Sequence, residues 1–143
     1  MNIYFKGYRV FNLIFKPTLD LINFFEDLHI NPNNSKSAYS IKSKILPYPD
    51  DKDVNNITEF TCFVRIEFCL KDEKLNKSES EFSFVHIVEL ITDVNPEKHL
   101  SDKDFIKQAN QLAYVSLSNF IVNLTTNCGF SPVYIPLAKM LDN

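Results

Sequence analysis

The distribution of hydrophobic and polar residues along the chain predicts four strands and two helices, in the order strand, short helix, three strands and long helix. The clearest strand is the third, where the apolar residues from Phe60 to Leu70 alternate with more polar ones. A period of two over this length indicates a strand. The second strand, Ala38 to Leu46, also alternates and has one polar face.

The first strand, Ile3 to Phe15, and the fourth, Glu81 to Val94, are apolar on both faces. A strand with two apolar faces requires cover on both sides. We therefore expect helices on one face of the sheet and, on the other, a second subunit or the apolar segments of other polypeptides. Strict alternation divides the apolar residues of the first strand into Phe5, Phe11, Leu13 and Phe15 on one face and Tyr4, Tyr8, Val10 and Ile14 on the other.

Two segments have the spacing of helices. The first, Leu19 to Leu28, begins after Pro17-Thr18 and carries apolar residues at positions 21, 24, 25 and 28. The second begins after Asn95-Pro96, with Ser101 as its predicted N-cap and Asp104 three residues later. Gly129 occupies the position of a C-terminal glycine cap. The apolar stripe of this long helix consists of Phe105, Ala109, Leu112, Ala113, Ser116, Phe120, Ile121 and Leu124.

Length and composition narrow the class of protein. A chain of 143 residues corresponds to one domain, residues 1–143, of the α+β class. A net charge of -3 and scattered lysines argue against a nucleic-acid-binding protein. No apolar run approaches the ~20 residues of a membrane span, and residues 1–9 lack the layout of a secretory signal. The three cysteines have no metal-ligand spacing, which is typical of a reduced, cytoplasmic protein.

The titratable residues do not form a recognisable catalytic set. His29, His86 and His99 lie far apart in the sequence. His86, within an apolar strand, is interpreted as a histidine that is hydrogen-bonded at an edge or interface, in preference to a buried base. Cys128 lies near a helix C-terminus, where the helix dipole disfavours a thiolate. We therefore predict that the protein is not an enzyme and needs no metal or cofactor.

Two weaker chemical hypotheses remain from the residues alone. Glu67 and Glu89, on neighbouring strands, could form an acid–base pair, although charges on the polar face of a sheet are far commoner. A small-molecule pocket between the long helix and the sheet would depend on Ser116 and Asn110, the polar residues available there.

The segment after the long helix carries a family resemblance. It reads Gly129-Phe130-Ser131-Pro132-Val133-Tyr134-Ile135-Pro136, and it resembles SecB, the bacterial export chaperone, in which a glycine, a proline, an aliphatic pair and a second proline follow the helix. The blocks Tyr39 to Leu46, Glu59 to Lys71 and Glu81 to Asp93 are similar to that family's second to fourth strands. The resemblance implies a four-stranded antiparallel sheet packed against a long C-terminal helix, with a short helix between strands 1 and 2.

The chain also departs from the SecB pattern. The family's second long helix has no counterpart of that length in Leu137 to Asn143. The strand that contacts the translocase motor in the family reads Phe82-Ser83-Phe84-Val85-His86 here, without the acidic contact residue. Docking on that motor is therefore not implied.

The resemblance implies an ATP-independent holdase chaperone of protein transport, assembled as a dimer of dimers, that binds unfolded polypeptides through apolar grooves. The alternative is a regulatory module of the same fold with one specific partner, such as an antitoxin, as among SecB-like relatives. Packing inside the domain is the competing role for the residues predicted to bind clients, which are Phe130, Val133, Tyr134, Ile135, Leu137 and Met140.

Overall fold

The computed structural model describes residues 1–30, 39–48, 59–70 and 81–130. Strand β1 spans Ile3–Phe15, helix α1 Leu19–Ile30, β2 Tyr39–Pro47, β3 Phe60–Leu70 and β4 Phe82–Thr92. A 3₁₀ turn, Pro96–Lys98, precedes the long helix α2, Lys103–Asn127. The predicted order of elements and the α+β class are confirmed, and β1 has its predicted bounds.

The four strands form one antiparallel sheet in the order β1-β4-β3-β2. Strands β2, β3 and β4 are neighbours in the order of the chain, whereas β1, the first strand in the sequence, pairs with β4, the last. Strands β1 and β2 are consequently the two edges. Strand β4, one of the two central strands, pairs with β1 along one edge and with β3 along the other.

One face of this sheet is the core face. On β4 every second residue from Phe82 to Thr92 is buried, and on β3 the residues that alternate from Cys62 to Phe68 are buried. Helix α2 covers this face with Phe105, Ala109, Ala113, Leu117 and Ile121, and α1 adds Leu21 and Phe25. Both helices therefore lie on the same side of the sheet.

The opposite side is called the outer face here, and no described helix covers it. The pairing register assigns residues to it, because directly opposed residues of neighbouring strands point the same way. It consists of Tyr4, Gly7, Arg9, Phe11 and Ile14 of β1, Ser83, Val85, Ile87, Glu89 and Ile91 of β4, Thr61, Phe63, Arg65, Glu67 and Cys69 of β3, and Ser40, Lys42, Lys44 and Leu46 of β2.

The predicted division of β1 into two faces is wrong because the strand contains two register shifts. They fall between Phe5 and Gly7 and between Phe11 and Ile14. Each shift interrupts the alternation, so Phe5 and Tyr8 share the core face although strict alternation separates them. Asn12 has a φ of 55°, a left-handed conformation that asparagine tolerates better than most residues.

The N-cap of α2 is Asp102 and not the predicted Ser101. The Asp102 carboxylate accepts hydrogen bonds from the backbone N–H groups of Asp104 at 2.9 Å and Phe105 at 3.5 Å. Aspartate satisfies these free N–H groups as well as serine does and also places a negative charge at the positive end of the helix dipole. At the other end Gly129 has a φ of 87°, which confirms the predicted glycine cap.

Aromatic side chains fill the end of the core where α1 meets the sheet. The fully buried Phe82 ring lies 5.0 Å from Phe15, 6.2 Å from Phe25 and 5.1 Å from Phe68 between ring centroids. Most of these pairs are tilted or edge-to-face, the geometries that aromatic quadrupoles prefer. Six of the 13 phenylalanines are buried and supply much of a core without tryptophan, namely Phe25, Phe68, Phe82, Phe84, Phe105 and Phe130.

Candidate functional site

The most conspicuous surface feature is the apolar edge strand β1. Its large hydrophobic side chains have exposed fractions between 41% for Ile14 and 61% for Tyr4. An edge strand also presents backbone N–H and C=O groups that no strand of its own sheet pairs. The exposed set consists of Tyr4, Phe5, Tyr8, Phe11, Leu13 and Ile14.

This exposure extends to both faces of the sheet. Phe5 and Tyr8 lie on the core side, where Tyr8 packs against Phe120 of α2 but stays about half exposed, whereas Tyr4, Phe11 and Ile14 lie on the outer face. On the core side β1 is covered only in part, with Ile3, Val10 and Phe15 packed against the core, and no described helix covers its outer face. An apolar strand of this length, open at its edge and on two faces, is typical of an interaction surface.

The residues predicted to bind clients divide into two groups. Phe130 is 6% exposed and packs edge-to-face against Phe15 and Phe25, with centroids 5.7 and 5.4 Å apart. It therefore has the core-packing role that was its alternative. Val133, Tyr134, Ile135, Leu137 and Met140 lie outside the described residues, and their role stays a prediction.

His86 lies in the core on the central strand β4, and not at the edge or interface that the sequence predicted. Its Nε2 is 2.9 Å from the Ser116 hydroxyl oxygen, and its Nδ1 is buried without a hydrogen-bond partner. Tyr8 stacks on the ring at a centroid distance of 4.9 Å, and Phe120 packs at 5.8 Å. A base for catalysis would need access to a substrate and a third group to orient it, and the described residues provide neither around this ring.

Burial also decides the protonation of His86. The charged form would place a second N–H donor, without an acceptor, in an apolar environment. Burial accordingly lowers the pKa of His86 to about 4. The ring is neutral at pH 7, which agrees with the predicted structural role.

The carboxylates of Glu67 and Glu89 do not form an acid–base pair. On β4, Glu67 is paired with Val85 while Glu89 lies four residues further along, a separation of about 13 Å at the rise of a strand. Each carboxylate is instead paired with a different basic side chain. Lys6 Nζ is 3.3 Å from Glu89 Oε1, and Arg65 donates a hydrogen bond to Glu67.

The other candidate chemistry is equally absent from the described residues. The Ser116 hydroxyl is hydrogen-bonded to His86, and Asn110 is buried. Ser116 and Asn110 therefore do not converge on an open pocket. Burial raises the pKa of the Cys62 thiol to about 11, while Cys69 lies on the outer face and cannot reach it. No group of three metal-ligating side chains occurs, and no helix is long and apolar enough to cross a membrane, in these parts of the chain.

Comparison with known proteins gives a match at the level of structure. No protein-family model matches the chain, and no curated protein sequence does. The fold is similar to that of the SecB-like chaperone Rv1957 of Mycobacterium tuberculosis, solved in complex with a ChAD peptide from the Rv1956 HigA1 antitoxin. The match covers 96% of this chain and 84% of that one, with a TM-score of 0.53 and 11% sequence identity.

Proposed function

Taking the SecB-like fold as the premise, we propose that this chain is a cytoplasmic, ATP-independent holdase that binds unfolded polypeptides and assembles as a homo-oligomer. It acts by binding, without catalysis or a cofactor. The observation that carries the proposal is the edge strand β1, which exposes six large apolar side chains next to unpaired backbone groups. Such an edge binds extended polypeptide chains through their backbones, with little dependence on sequence.

Several contacts are needed at once, which favours a long surface over a small pocket. Burying one leucine or phenylalanine side chain contributes about 1.5–3 kcal/mol, whereas micromolar affinity requires about 8 kcal/mol. The binding free energy must also offset the ordering of the client chain. The six exposed side chains of β1 together with the apolar tail supply enough contacts, and an assembly of several copies multiplies them.

A second copy of the chain is the proposed partner for part of this edge. Pairing two β1 strands in antiparallel fashion satisfies the free backbone groups and covers Phe5 and Tyr8 on one face and Phe11 on the other. The resulting dimer leaves the rest of the β1 edge, with Tyr4, Leu13 and Ile14, and the tail, from Val133 to Met140, as the proposed client surface. Two such dimers form the proposed dimer of dimers.

A dedicated partner is the second candidate function. The similar chaperone from M. tuberculosis was solved with a peptide from an antitoxin, so a single client segment is a plausible ligand for this fold. A panel of unrelated, reduced and unfolded proteins separates the two functions. A holdase binds most members of the panel, and a dedicated module binds none of them.

Replacing Tyr134 and Ile135 by serine should weaken the capture of unfolded polypeptides. If both side chains contact the client, their loss reduces the affinity at least about tenfold, because each removes part of an apolar contact. The measurement is light scattering from a reduced, aggregating test protein at increasing chaperone concentration.

The matched control replaces Leu100 and Val115, two exposed apolar residues that are not among the predicted client-binding residues, by serine and should leave protection unchanged. Equal loss in both double variants would contradict a client surface in the tail. Unfolding of both variants by urea checks that the fold is retained.

A further inference from the structure

The outer face of the sheet carries a charge opposite to that of the whole chain. The register places four basic side chains on it, Arg9, Lys42, Lys44 and Arg65, and two acidic ones, Glu67 and Glu89. Lys6 lies at a register shift of β1 and joins this face through its ion pair with Glu89, so the net charge of the face is +3. The whole chain has 15 basic and 18 acidic residues. The remaining 10 basic and 16 acidic residues therefore carry -6, and the two signs are segregated.

The two carboxylates of the outer face are already neutralised by neighbours. Glu89 is paired with Lys6. Glu67 accepts a hydrogen bond from Arg65, which together with the charges of Arg65 and Lys42 lowers the pKa of that carboxyl. Arg9 and Lys44, by contrast, have no ion-pair partner among the described residues. The uncompensated positive charge thus sits at the two sides of the face.

One cross-strand pair is unfavourable in the isolated chain. Lys44 of β2 lies directly opposite Arg65 of β3, and like charges at opposed positions destabilise a sheet. An anionic group bound between them would remove that cost. The pair therefore indicates a place for an acidic side chain of a partner.

The outer-face row of β4 is largely apolar, and Glu89, which is paired with Lys6, is its one charged residue. Val85, Ile87 and Ile91 of β4 are half-buried there, and Phe63 of β3 is beside them. A hollow of about 260 Å³ lies at the Val85 end of this row, lined in part by Lys42, Glu67 and Cys69. Apolar side chains next to charged ones are common at protein–protein interfaces.

We propose that the outer face of the sheet docks an acidic polypeptide segment of a partner protein, with aliphatic side chains on Val85, Ile87 and Ile91 and carboxylates on Arg9 and Lys44. This surface lies on the opposite side of the sheet from α2, and its role does not depend on holdase activity. The chemistry favours a protein over a nucleic acid. The two central strands present one aromatic side chain, Phe63, for base stacking, and Glu67 and Glu89 would repel phosphates.

The test measures binding of a fluorescent peptide of about ten residues, the length of a strand, in which glutamate alternates with leucine and isoleucine. A peptide with lysine in place of every glutamate is the charge control. We expect the acidic peptide to bind, the basic one not to bind, and the affinity to fall as salt screens the charges. The decisive variant is Arg9→Glu with Lys44→Glu, for which we expect at least about tenfold weaker binding.

The matched control is Lys98→Glu with Lys107→Glu, two exposed lysines on the helical side of the chain. Each double variant exchanges two positive for two negative charges and takes the net charge from -3 to -7. Equal weakening of peptide binding in both variants would contradict the proposal, because the net charge of the chain alone would then explain the loss of affinity. Tighter binding of oligothymidine or of phosphatidylglycerol vesicles than of the acidic peptide would also overturn it. Protection of an aggregating protein, measured in parallel, reports the proposed holdase function separately.

Discussion

Replacing Phe82 by alanine is expected to lower the free energy of unfolding by about 3–5 kcal/mol, the usual cost of truncating a buried phenylalanine. Phe82 is fully buried and its ring contacts Phe15, Phe25, Phe68 and Phe84. Its loss leaves a cavity where α1, β1, β3 and β4 meet, a junction that these rings cannot refill without leaving their own contacts. Urea denaturation followed by circular dichroism measures the change.

The control for this prediction is Phe11→Ala. Phe11 has the same side chain but lies half-exposed on the outer face of β1, so its truncation should cost less than about 1 kcal/mol, in the range of surface substitutions. If Phe82→Ala were as mild as Phe11→Ala, the aromatic cluster would not be the centre of the core. Denaturation at two protein concentrations separates an effect on assembly from an effect on the fold.

The second large effect concerns acid stability and His86. Its pKa is about 4 in the folded chain and close to 6.5 when unfolded. Between these values the unfolded chain binds the proton more strongly, so the stability that the neutral ring contributes is present above pH 6.5 and is lost as the pH falls to 4. The loss is about 3 kcal/mol at 1.4 kcal/mol per pKa unit.

Substitution by phenylalanine should remove this dependence. In His86→Phe the difference in unfolding free energy between pH 7 and pH 4.5 should be smaller than in the original chain, even if the variant is less stable at pH 7 because Ser116 has lost its partner. Urea denaturation of both proteins at several pH values measures it. Parallel pH profiles of the two proteins would contradict a buried, neutral histidine.

The fold followed from the sequence wherever the pattern was local and regular. The alternation of β3, the stripe of α2 and the glycine at position 129 each reflect a physical requirement that acts within a few residues. The register shifts of β1 could not be predicted in the same way. They depend on pairing with β4, which is about 80 residues away in the sequence, and period-two alternation contains no signal for an inserted residue.

The candidate surface followed from the sequence only in part. The two-sided apolar character of β1 was visible as a surplus of hydrophobic residues, and the structure places six of them at an open edge. The burial of Phe130 was not decided by the sequence, because an apolar residue after a glycine cap packs inward or outward according to its neighbours, here Phe15 and Phe25. The charge of the outer face required the register of all four strands, since its basic residues are scattered along the chain.

The N-cap of α2, predicted at Ser101 and found at Asp102, also depends on structure outside the local pattern. Ser101 and Asp102 are both good N-cap residues, and the sequence alone does not rank two adjacent candidates. The backbone of the turn at Pro96–Lys98 and His99 decides between them, because it brings Asp102 into an extended conformation just before the first helical turn. Such one-residue differences do not alter the stripe that α2 presents to the sheet.

The most direct test of the proposed function is light scattering after size-exclusion chromatography, with the protein alone and then mixed with a reduced, unfolded polypeptide or with the same polypeptide in its native state. The account predicts a multimer that co-elutes with the unfolded form and does not co-elute with the native form. A monomer that binds neither form would contradict both the pairing of β1 edges and the holdase function.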